Sequence, residues 1–366
     1  MKIVIIGGHL APALAIIDAL TDADTVFFLG RKHVFEGDSS LSLEYQEIEK
    51  RNILFEELKT GRLQRKVTRY TLPSLLKTPG AVIQATRILK SLKPDVVIGF
   101  GGYISVPVVV AASFLKIPIV LHEQTMEAGL ANKMLSRFAT KICISWESSQ
   151  AFFPVKKTVL TGNPIRIMTG KVESMQSPPL LYITGGSGGS HVINMLVKSC
   201  IETLLETYHV YHQTGDARMY NDFEDLSAMR DTFSDEKKNR YTLTKFIDPK
   251  DTGKIMKQAT LVIGRSGINT VTELIIFEKP ALLIPLPYTQ RSEQEKNAQF
   301  LKKVGLAEVL PQEAASGDAL LKMIMDMGKN SSLYKLNQQG LQELHLKAGK
   351  HMIEVIHNVT KKKNVV

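Results

Sequence analysis

Short apolar runs alternate with longer amphipathic segments along most of the chain. In the first half, each of five such runs is followed by a polar or glycine turn and then by helix-like sequence. The five runs are KIVII (2–6), TVFFL (25–29), VVIGF (96–100), PIVLH (118–122) and KICIS (141–145). Short apolar runs that alternate with helical segments are typical of a parallel α/β sheet. The pattern therefore predicts a doubly wound sheet in this half.

A second series begins after Pro154 and the stretch TGNPIR (161–166). Its predicted strands are LLYITG (180–185), YHVYHQTG (208–215), RYTLTKFI (240–247), ATLVIG (259–264) and PALLIPLP (280–287). We therefore expect two doubly wound domains, residues 1–163 and residues 164–341, facing each other across a cleft that holds substrate at the carboxyl ends of the strands. A long helix from about 332 to 360 is expected to end the chain, and its segment 342–366 to pack on the first domain.

A twenty-residue stretch without a charge, VVIGFGGYISVPVVVAASFL (96–115), is long enough to span a bilayer. Gly101 and Gly102 interrupt it and Pro107 follows, which favours a strand, a glycine turn and a helix with proline in its first turn. The apolar run at the N-terminus is likewise interrupted by Gly7-Gly8-His9 after four residues, so it does not resemble a signal peptide.

Two glycine turns in the second half point to a phosphate ligand. One strand ends in Gly264-Arg265-Ser266-Gly267, and Asn269 or Thr270 is expected to cap the following helix. The turn ITGGSGGSHVIN (183–194) has the same arrangement, and its Ser187 adds a hydroxyl. Free N–H groups at such helix starts bind phosphate. Two of these turns in one half predict a nucleotide diphosphate.

Three further side chains suit the remainder of a nucleotide sugar. Glu273 lies about one turn into the helix, where a carboxylate either grips ribose hydroxyls or only complements the helix dipole. Gln294 and Asn297 follow a proline-rich turn, and amides suit sugar hydroxyls because each supplies a donor and an acceptor. The alternative reading there is a plain helix start with Ser292 as its N-cap.

Histidines and a carboxylate follow strands of the first half. His122 and Glu123 are expected either to form a polar pair at the cleft or to be structural, and His9 to be either a base or a hydrogen-bonded loop residue. His209 and His212 share a strand, and their spacing places them on opposite faces. No zinc-protease motif, carboxylate cluster or nucleophile elbow occurs, so no metal and no cofactor are expected.

Composition and charge limit the kinds of binding partner that are expected. The chain has 366 residues, 44% hydrophobic, and a formal net charge of +10. Cys143 and Cys200 stand alone and suit a reducing compartment. Between Leu58 and Pro94 there is no acid, and basic residues alternate with leucine and tyrosine. The segment fits either an anionic membrane surface or a solvated charged face. No nucleic-acid-binding module accompanies it, so nucleic acid is not an expected partner.

Taken together, these stretches resemble the bacterial MurG family over nearly the whole chain. The motifs that carry the resemblance are Gly7-Gly8-His9 with PALAI (12–16), GFGGYISVP (99–107), HEQ (122–124), TGNPIR (161–166), GGSGG (185–189), HQTG (212–215), FID (246–248), RSGINTVTEL (265–274), KPALLIPLP (279–287) and NA (297–298). Members of that family transfer N-acetylglucosamine from UDP-N-acetylglucosamine to undecaprenyl-diphospho-N-acetylmuramoyl-pentapeptide. The resemblance implies a GT-B glycosyltransferase fold, a role in peptidoglycan biosynthesis and a peripheral location at the cytoplasmic membrane face.

The resemblance also implies roles for particular residues. On the donor side, Arg166 and Ser187 would meet the diphosphate, Ile247 would line the uracil pocket, and Gln294 would read the sugar. The nucleotide would be held by Ile268, Asn269, Thr270, Val271, Thr272 and Glu273, with Glu273 on the ribose. His9 would be the candidate base. The acceptor-side positions would be Gly7, Gly8, Gly101, Gly102, Tyr103, His122, Glu123 and Thr125.

The chain departs from the family pattern at four places. Its opening loop is three residues shorter than G-G-T-G-G-H, and Thr125, Gly188 and Glu293 stand where the family commonly has Asn, Gln and His or Gln. The implied reaction inverts the anomeric carbon and needs no metal. Three alternatives stay open: transfer to another lipid acceptor such as a diacylglycerol, UDP-N-acetylglucosamine 2-epimerisation, and a UDP-sugar-binding membrane scaffold without catalysis.

Overall fold

The computed structural model describes residues 1–33, 40–59, 71–166, 177–186, 188–216 and 219–361, with only the backbone described at 71–78, 249, 250 and 290. The chain divides into two compact units, one formed by Met1–Arg166 with Leu344–Val366 and the other by Ile167–Glu343. Each unit contains one sheet, and every strand pair in both sheets is parallel. The predicted class of two doubly wound parallel sheets is confirmed.

The sheet of the first unit has seven strands in the order β3-β2-β1-β4-β5-β6-β7. They are β1 (Lys2–Ile6), β2 (Thr25–Gly30), β3 (Leu54–Glu57), β4 (Val96–Gly99), β5 (Ile119–Glu123), β6 (Lys141–Ile144) and β7 (Thr158–Leu160). The helices between them are α1 (Leu10–Ala19), α2 (Leu43–Glu49), α3 (Thr71–Leu92), α4 (Ser105–Phe114) and α5 (Leu130–Leu135). Five of these strands are as predicted, whereas the edge strands β3 and β7 were not predicted.

Both faces of this sheet are covered, which explains the unbroken apolar run of β1. Val4 and Ile6 lie in a core with residues of α3 and α4, while Ile3 and Ile5 lie in a second core with residues of α1. Successive side chains of a strand point to opposite faces, so a strand buried on both sides is apolar throughout.

The sheet of the second unit has six strands in the order β10-β9-β8-β11-β12-β13. They are β8 (Leu180–Thr184), β9 (His209–Gln213), β10 (Tyr241–Thr244), β11 (Leu261–Gly264), β12 (Ala281–Leu283) and β13 (Ala307–Val309). Its helices are α6 (His191–Thr207), α7 (Asp222–Asp231), α8 (Asp235–Arg240), α9 (Pro249–Gln258), α10 (Ile268–Phe277), α11 (Glu293–Lys303) and α12 (Gly317–Lys329). The edge strand β13 was not predicted.

The C-terminal segment differs from its prediction. In place of one helix from about 332 to 360, a short 3-10 turn (Ser331–Leu333) is followed by α13 (Leu341–Leu346) and α14 (Ala348–Lys361). Gly340, at φ +78°, lies in the left-handed region immediately before α13, so the helix cannot run through it. Met352 and Ile356 of α14 complete the core around Ile3 and Ile5 of the first unit.

The charge-free stretch 96–115 folds in the predicted order. Strand β4 ends at Gly99, Gly101 and Gly102 both have positive φ, and Pro107 lies in the first turn of α4. Across the described residues, no helix combines the length and apolar character needed to cross a membrane.

Candidate functional site

Each sheet has one point at which the strand order reverses. In the first unit it lies between β1 and β4, and in the second between β8 and β11. Ligands of open parallel sheets bind outside the carboxyl ends of the strands at such points. The four glycine turns of the sequence follow these same four strands. Each unit therefore presents a pair of glycine turns at its switch point.

In the second unit, the turn after β8 lies very close to the end of β9. Gly189 has φ +73°, and a Cβ there would lie 2.1 Å from the carbonyl oxygen of Thr214, so only glycine fits. Ser190 is the N-cap of α6, and its Oγ accepts a hydrogen bond from the N–H of Ile193 at 3.4 Å. Ser187, the predicted diphosphate contact, lies outside the described residues.

Arg265 joins this turn to the turn after β11. Its Nη2 donates to Ser190 Oγ and to Gln312 Oε1, both at 2.8 Å. Its Nη1 donates to the carbonyl oxygens of Ile284 and Pro285, at 2.9 and 3.2 Å. Within the described chain no carboxylate pairs with this guanidinium, and burial lowers the pKa of Arg265. A positive charge thus lies between the two turns, a feature that the sequence analysis did not assign.

Helix α10 starts two or three residues earlier than predicted. Its N-cap is Gly267, so neither Asn269 nor Thr270 caps it. Ile268, Val271 and Thr272 are buried, and Thr272 Oγ1 donates to the carbonyl oxygen of Ile268 at 2.8 Å. The side chains of Asn269, Thr270 and Glu273 keep partial exposure. Only these three of the predicted run can offer side chains to a ligand.

The carboxyl of Glu273 makes no hydrogen bond or ion pair with a described residue. Burial alone raises the pKa of its carboxyl to about 7. A carboxylate that keeps some solvent access and no protein partner is suited to accept hydrogen bonds from a ligand's hydroxyls.

Some polar groups at the start of α11 form hydrogen bonds within the protein. Gln294 Oε1 accepts from the N–H of Leu286 at 2.9 Å, and its amide nitrogen has no partner in the described part of the chain. Asn297 is 1% exposed, and its Nδ2 donates to the carbonyl oxygen of Ser266 at 2.9 Å. Helix α11 begins after Ser292 as predicted, yet the Ser292 side chain makes no capping bond.

Two residues predicted to bind the donor lie outside these two glycine turns. Ile247 follows β10 and is partly buried beside the exposed Phe246. Arg166 belongs to the first unit, whose first segment runs from Met1 to Arg166. The Arg166 Nε lies 2.6 Å from Asp18 Oδ2 of α1, so Arg166 is engaged in an ion pair within its own unit.

The two turns of the first unit also pack closely. Gly8 has φ +143°, and a Cβ there would lie 2.4 Å from the carbonyl oxygen of Gly101. Ser105 Oγ donates to the same oxygen at 2.7 Å. His9, directly after Gly8, is the N-cap of α1, and its side chain makes no capping bond. Tyr103, after Gly102, lies under the guanidinium of Arg31 at 5.1 Å from the ring centroid.

His122 and Glu123 do not pair with each other, contrary to one of the two readings of the sequence. As neighbours on β5 they point to opposite faces. His122 is 1% exposed and contacts Ser145 Oγ at 3.1 Å, and burial lowers its pKa to about 3. The Glu123 carboxylate accepts from Thr125 Oγ1 at 2.6 Å, from Gly129 N–H at 2.9 Å and from Asn132 Nδ2 at 3.0 Å. The side chains of Glu123, Thr125 and Asn132 thus hold the loop before α5 in place.

Two doubly wound units, each with paired glycine turns at its switch point, are the architecture of the GT-B fold. The model of the glycosyltransferase family 28 N-terminal domain matches residues 6–144, and that of the C-terminal domain matches residues 180–361. The chain belongs to glycosyltransferase family 28.

Relatives and solved structures show which members of the family the chain is similar to. A UDP-N-acetylglucosamine–N-acetylmuramyl-(pentapeptide) pyrophosphoryl-undecaprenol N-acetylglucosamine transferase of Clostridium perfringens is 32% identical over 358 residues, 94% of each chain. The crystal structure of Acinetobacter baumannii MurG aligns with a TM-score of 0.73 and 26% identity, covering 98% of this chain and 99% of that one. The resemblance to the MurG family is thus confirmed.

A UDP-GlcNAc 2-epimerase from Neisseria meningitidis bound to UDP-GlcNAc aligns with a TM-score of 0.64 over 98% of this chain and 100% of that one. Its identity to this chain is 14%, so the two proteins share the fold.

Proposed function

We propose that the protein transfers N-acetylglucosamine from UDP-N-acetylglucosamine to the lipid-linked precursor undecaprenyl-diphospho-N-acetylmuramoyl-pentapeptide, with inversion and without a metal. The relatives supply the identity of donor and acceptor, since the Clostridium perfringens transferase carries both in its name. The activity would serve peptidoglycan biosynthesis. The first unit would take the acceptor and the second unit the donor.

The observation that carries the donor assignment is a pair of charges in the second unit that have no opposite partner among the described residues. Arg265 holds a positive charge between two glycine turns, and the carboxyl of Glu273, on a partly exposed face of α10, is hydrogen-bonded to no described residue. A nucleotide diphosphate completes both, because its phosphates neutralise the guanidinium and its ribose hydroxyls donate to the carboxylate. Gln294 would use its amide nitrogen on the sugar, Ile247 would contact the uracil, and Arg166 and Ser187 would contact the diphosphate.

In the proposed mechanism, a base takes the proton of the acceptor hydroxyl as the oxygen attacks the anomeric carbon. The bond from that carbon to the diphosphate breaks, and the electron pair leaves with UDP. The N–H groups at the start of α10 and the Arg265 guanidinium stabilise the charge that develops on the leaving diphosphate.

His9 is our candidate for the base. It follows the glycine turn at the switch point of the first unit, whereas His122 stays neutral down to about pH 3 and is enclosed. The lowered pKa of His122 makes its imidazole a weak base and its enclosure limits access to it, so His9, which is exposed, is the better candidate.

The test is incubation with labelled UDP-N-acetylglucosamine and a panel of acceptors, polyprenyl-diphospho-N-acetylmuramoyl-pentapeptide and diacylglycerol among them. We expect label in the polyprenyl product alone. Label in diacylglycerol would assign a different acceptor. Conversion to the 2-epimer without any lipid would assign epimerisation, and UDP binding without turnover on any acceptor would assign a scaffold.

We further propose that the first unit rests on the cytoplasmic face of an anionic membrane, as a peripheral protein. The basic segment that suggested this contact lies in part outside the described residues, at 60–70. Its described part supports the proposal, because Ile83, Arg87 and Lys90 share the exposed face of α3. On α5, Leu130 and Met134 are 64% and 48% exposed and lie one turn apart, beside Lys133.

Sedimentation with phosphatidylglycerol vesicles at low salt tests this proposal. We expect the wild type to bind, R87E/K90E to bind at least several-fold more weakly, and K322E/K329E on α12 of the second unit to bind as the wild type does. Equal binding of phosphatidylcholine vesicles, or no binding at low salt, would contradict the proposal.

A further inference from the structure

The glycine turn after β1 carries an anion that belongs to the protein itself. Glu44 Oε1 accepts the N–H of Gly8 at 2.8 Å. The other carboxylate oxygen lies against Gly7, because a Cβ at that position would be 2.7 Å from Oε2. The carboxylate thus covers the backbone of both glycines. Glu44 is not among the residues predicted for this turn.

The start of α2 fixes the position of Glu44. Ser42 is the N-cap of this helix, and its Oγ accepts from the N–H of Tyr45 at 3.1 Å. The same residue is bound to the end of β2, since Ser42 Oγ donates to the carbonyl oxygen of Arg31 at 2.6 Å and Ser42 N–H to that of Lys32 at 2.8 Å. Because β2 is the neighbour of β1 in the sheet, this anchor delivers Glu44 to the turn that follows β1.

The contact is chemically equivalent to phosphate binding. A backbone N–H at the start of a helix is the group that binds phosphate, and here a carboxylate takes it. Burial raises the pKa of Glu44, while the Gly8 N–H and the nearby charge of Arg31 act in the opposite direction. A second anion at the same N–H would face the Glu44 charge at short range.

Resting on the function proposed above, we propose that Glu44 is a positioning residue of the acceptor-side turn. Its carboxylate fills the anion position of Gly7 and Gly8, and so holds the backbone that carries His9. It follows that the diphosphate of the lipid-linked acceptor does not bind to the Gly8 N–H. Glu44 touches no reacting atom and acts through the turn.

Steady-state kinetics with the lipid acceptor test the positioning role. We expect Glu44→Ala to lower kcat about tenfold or more and to leave KM for UDP-N-acetylglucosamine unchanged. Glu44→Gln should stay within about threefold of the wild-type kcat, because its amide oxygen accepts the same N–H. The matched control is Glu47→Ala on the same helix, whose carboxylate binds Lys50 and Arg51, and it should behave as the wild type. A Glu44→Ala variant with wild-type kcat overturns the proposal, as does a Glu44→Gln variant as slow as Glu44→Ala.

Calorimetry with inorganic pyrophosphate gives a second readout that needs no catalysis. The protein is first saturated with UDP to occupy the donor unit. We expect Glu44→Ala to bind pyrophosphate at the vacated turn, and the wild type and Glu47→Ala not to bind it. Equal binding by wild type and Glu44→Ala overturns the proposal. This result stands even where the wild type transfers no sugar, which separates it from a failure of the proposed function.

Gly7→Ala covers the case in which Glu44→Ala does not fold, as judged by circular dichroism. Its new methyl group would displace the carboxylate from the turn. We expect a loss of kcat comparable to that of Glu44→Ala, and a wild-type kcat in Gly7→Ala would overturn the proposal.

Discussion

At the scale of single residues, the second unit keeps two charges without an opposite partner in the described chain. Arg265 donates to carbonyl, hydroxyl and amide oxygens, and no polar group of the described residues hydrogen-bonds to Glu273. An uncompensated charge in a poorly solvated place destabilises the fold, and such groups cluster where a ligand completes them. Each of the two residues is therefore expected to lower the stability of the ligand-free protein and to favour the binding of its ligand.

Glu273→Gln tests that connection. The folded pKa of Glu273 is raised to about 7 from 4.5, so the folded state binds the extra proton, and the stability of the wild type falls as pH rises from about 4.5 to 7. The glutamine variant has no such penalty. We expect its melting temperature to exceed that of the wild type at pH 8 and to equal it near pH 4.5, by differential scanning calorimetry. Its KM for UDP-N-acetylglucosamine should rise about tenfold, and a lower or unchanged melting temperature at pH 8 would contradict the assignment.

The residues that sequence analysis found and missed differ in a physical way. Gly7, Gly8 and Glu273 belong to local patterns of strand, turn and helix, which a sequence displays directly. Glu44 acts on a turn 36 residues away, and Arg265 binds a serine 75 residues away. Contacts of that range depend on sheet order, which no local pattern reveals.

At the scale of elements, burial decides which strands are visible in the sequence. The central strand β1 is apolar throughout because both of its faces are covered. The edge strand β3, with the sequence LFEE, is only partly buried, and β7 and β13 have three residues each. Short or half-solvated edges need few apolar residues, so their runs are too weak to predict.

Alanine substitution of two glycines tests the importance of the turns. Gly8→Ala places a Cβ 2.4 Å from the carbonyl oxygen of Gly101 at φ +143°, and we expect a loss of more than about 3 kcal/mol in the free energy of unfolding. Gly80 in α3 has no heavy atom within 4 Å of its added Cβ, so Gly80→Ala should stabilise by about 0.5–1 kcal/mol. Urea unfolding followed by fluorescence of Trp146, the one tryptophan and a residue of the first unit, measures both. Equal stabilities of the two variants would refute the packing argument.

At the scale of the whole molecule, buried histidines are divided unequally between the units. Burial lowers the pKa of His122 to about 3 and of His345 to about 4 in the first unit, and of His212 to about 3 in the second. The unfolded chain binds a proton at each histidine below about pH 6.5, whereas the folded chain does not. Each histidine therefore removes up to about 1.4 kcal/mol of stability per pH unit below that value.

We accordingly expect the first unit to lose stability faster on acidification. The raised pKa values of Glu44 in the first unit and of Glu273 in the second oppose this loss of stability. The first unit therefore has two destabilising histidines and one opposing carboxyl, whereas the second unit has one of each. The measurement compares urea midpoints at pH 7.5 and 5.5 from Trp146 fluorescence, which reports the first unit, with those from far-UV circular dichroism, which reports both. A pH-independent Trp146 midpoint would be incompatible with these buried neutral histidines.

Inverting transfer of N-acetylglucosamine to a lipid-linked muramoyl pentapeptide can be measured on the product itself. The most direct measurement is the anomeric configuration and stoichiometry of the product formed from α-linked UDP-N-acetylglucosamine and the polyprenyl-diphospho acceptor, determined by NMR together with UDP release. We predict a β-glycosidic product and one UDP per sugar transferred. An α-linked product, or UDP release without sugar in the lipid fraction, would contradict the account.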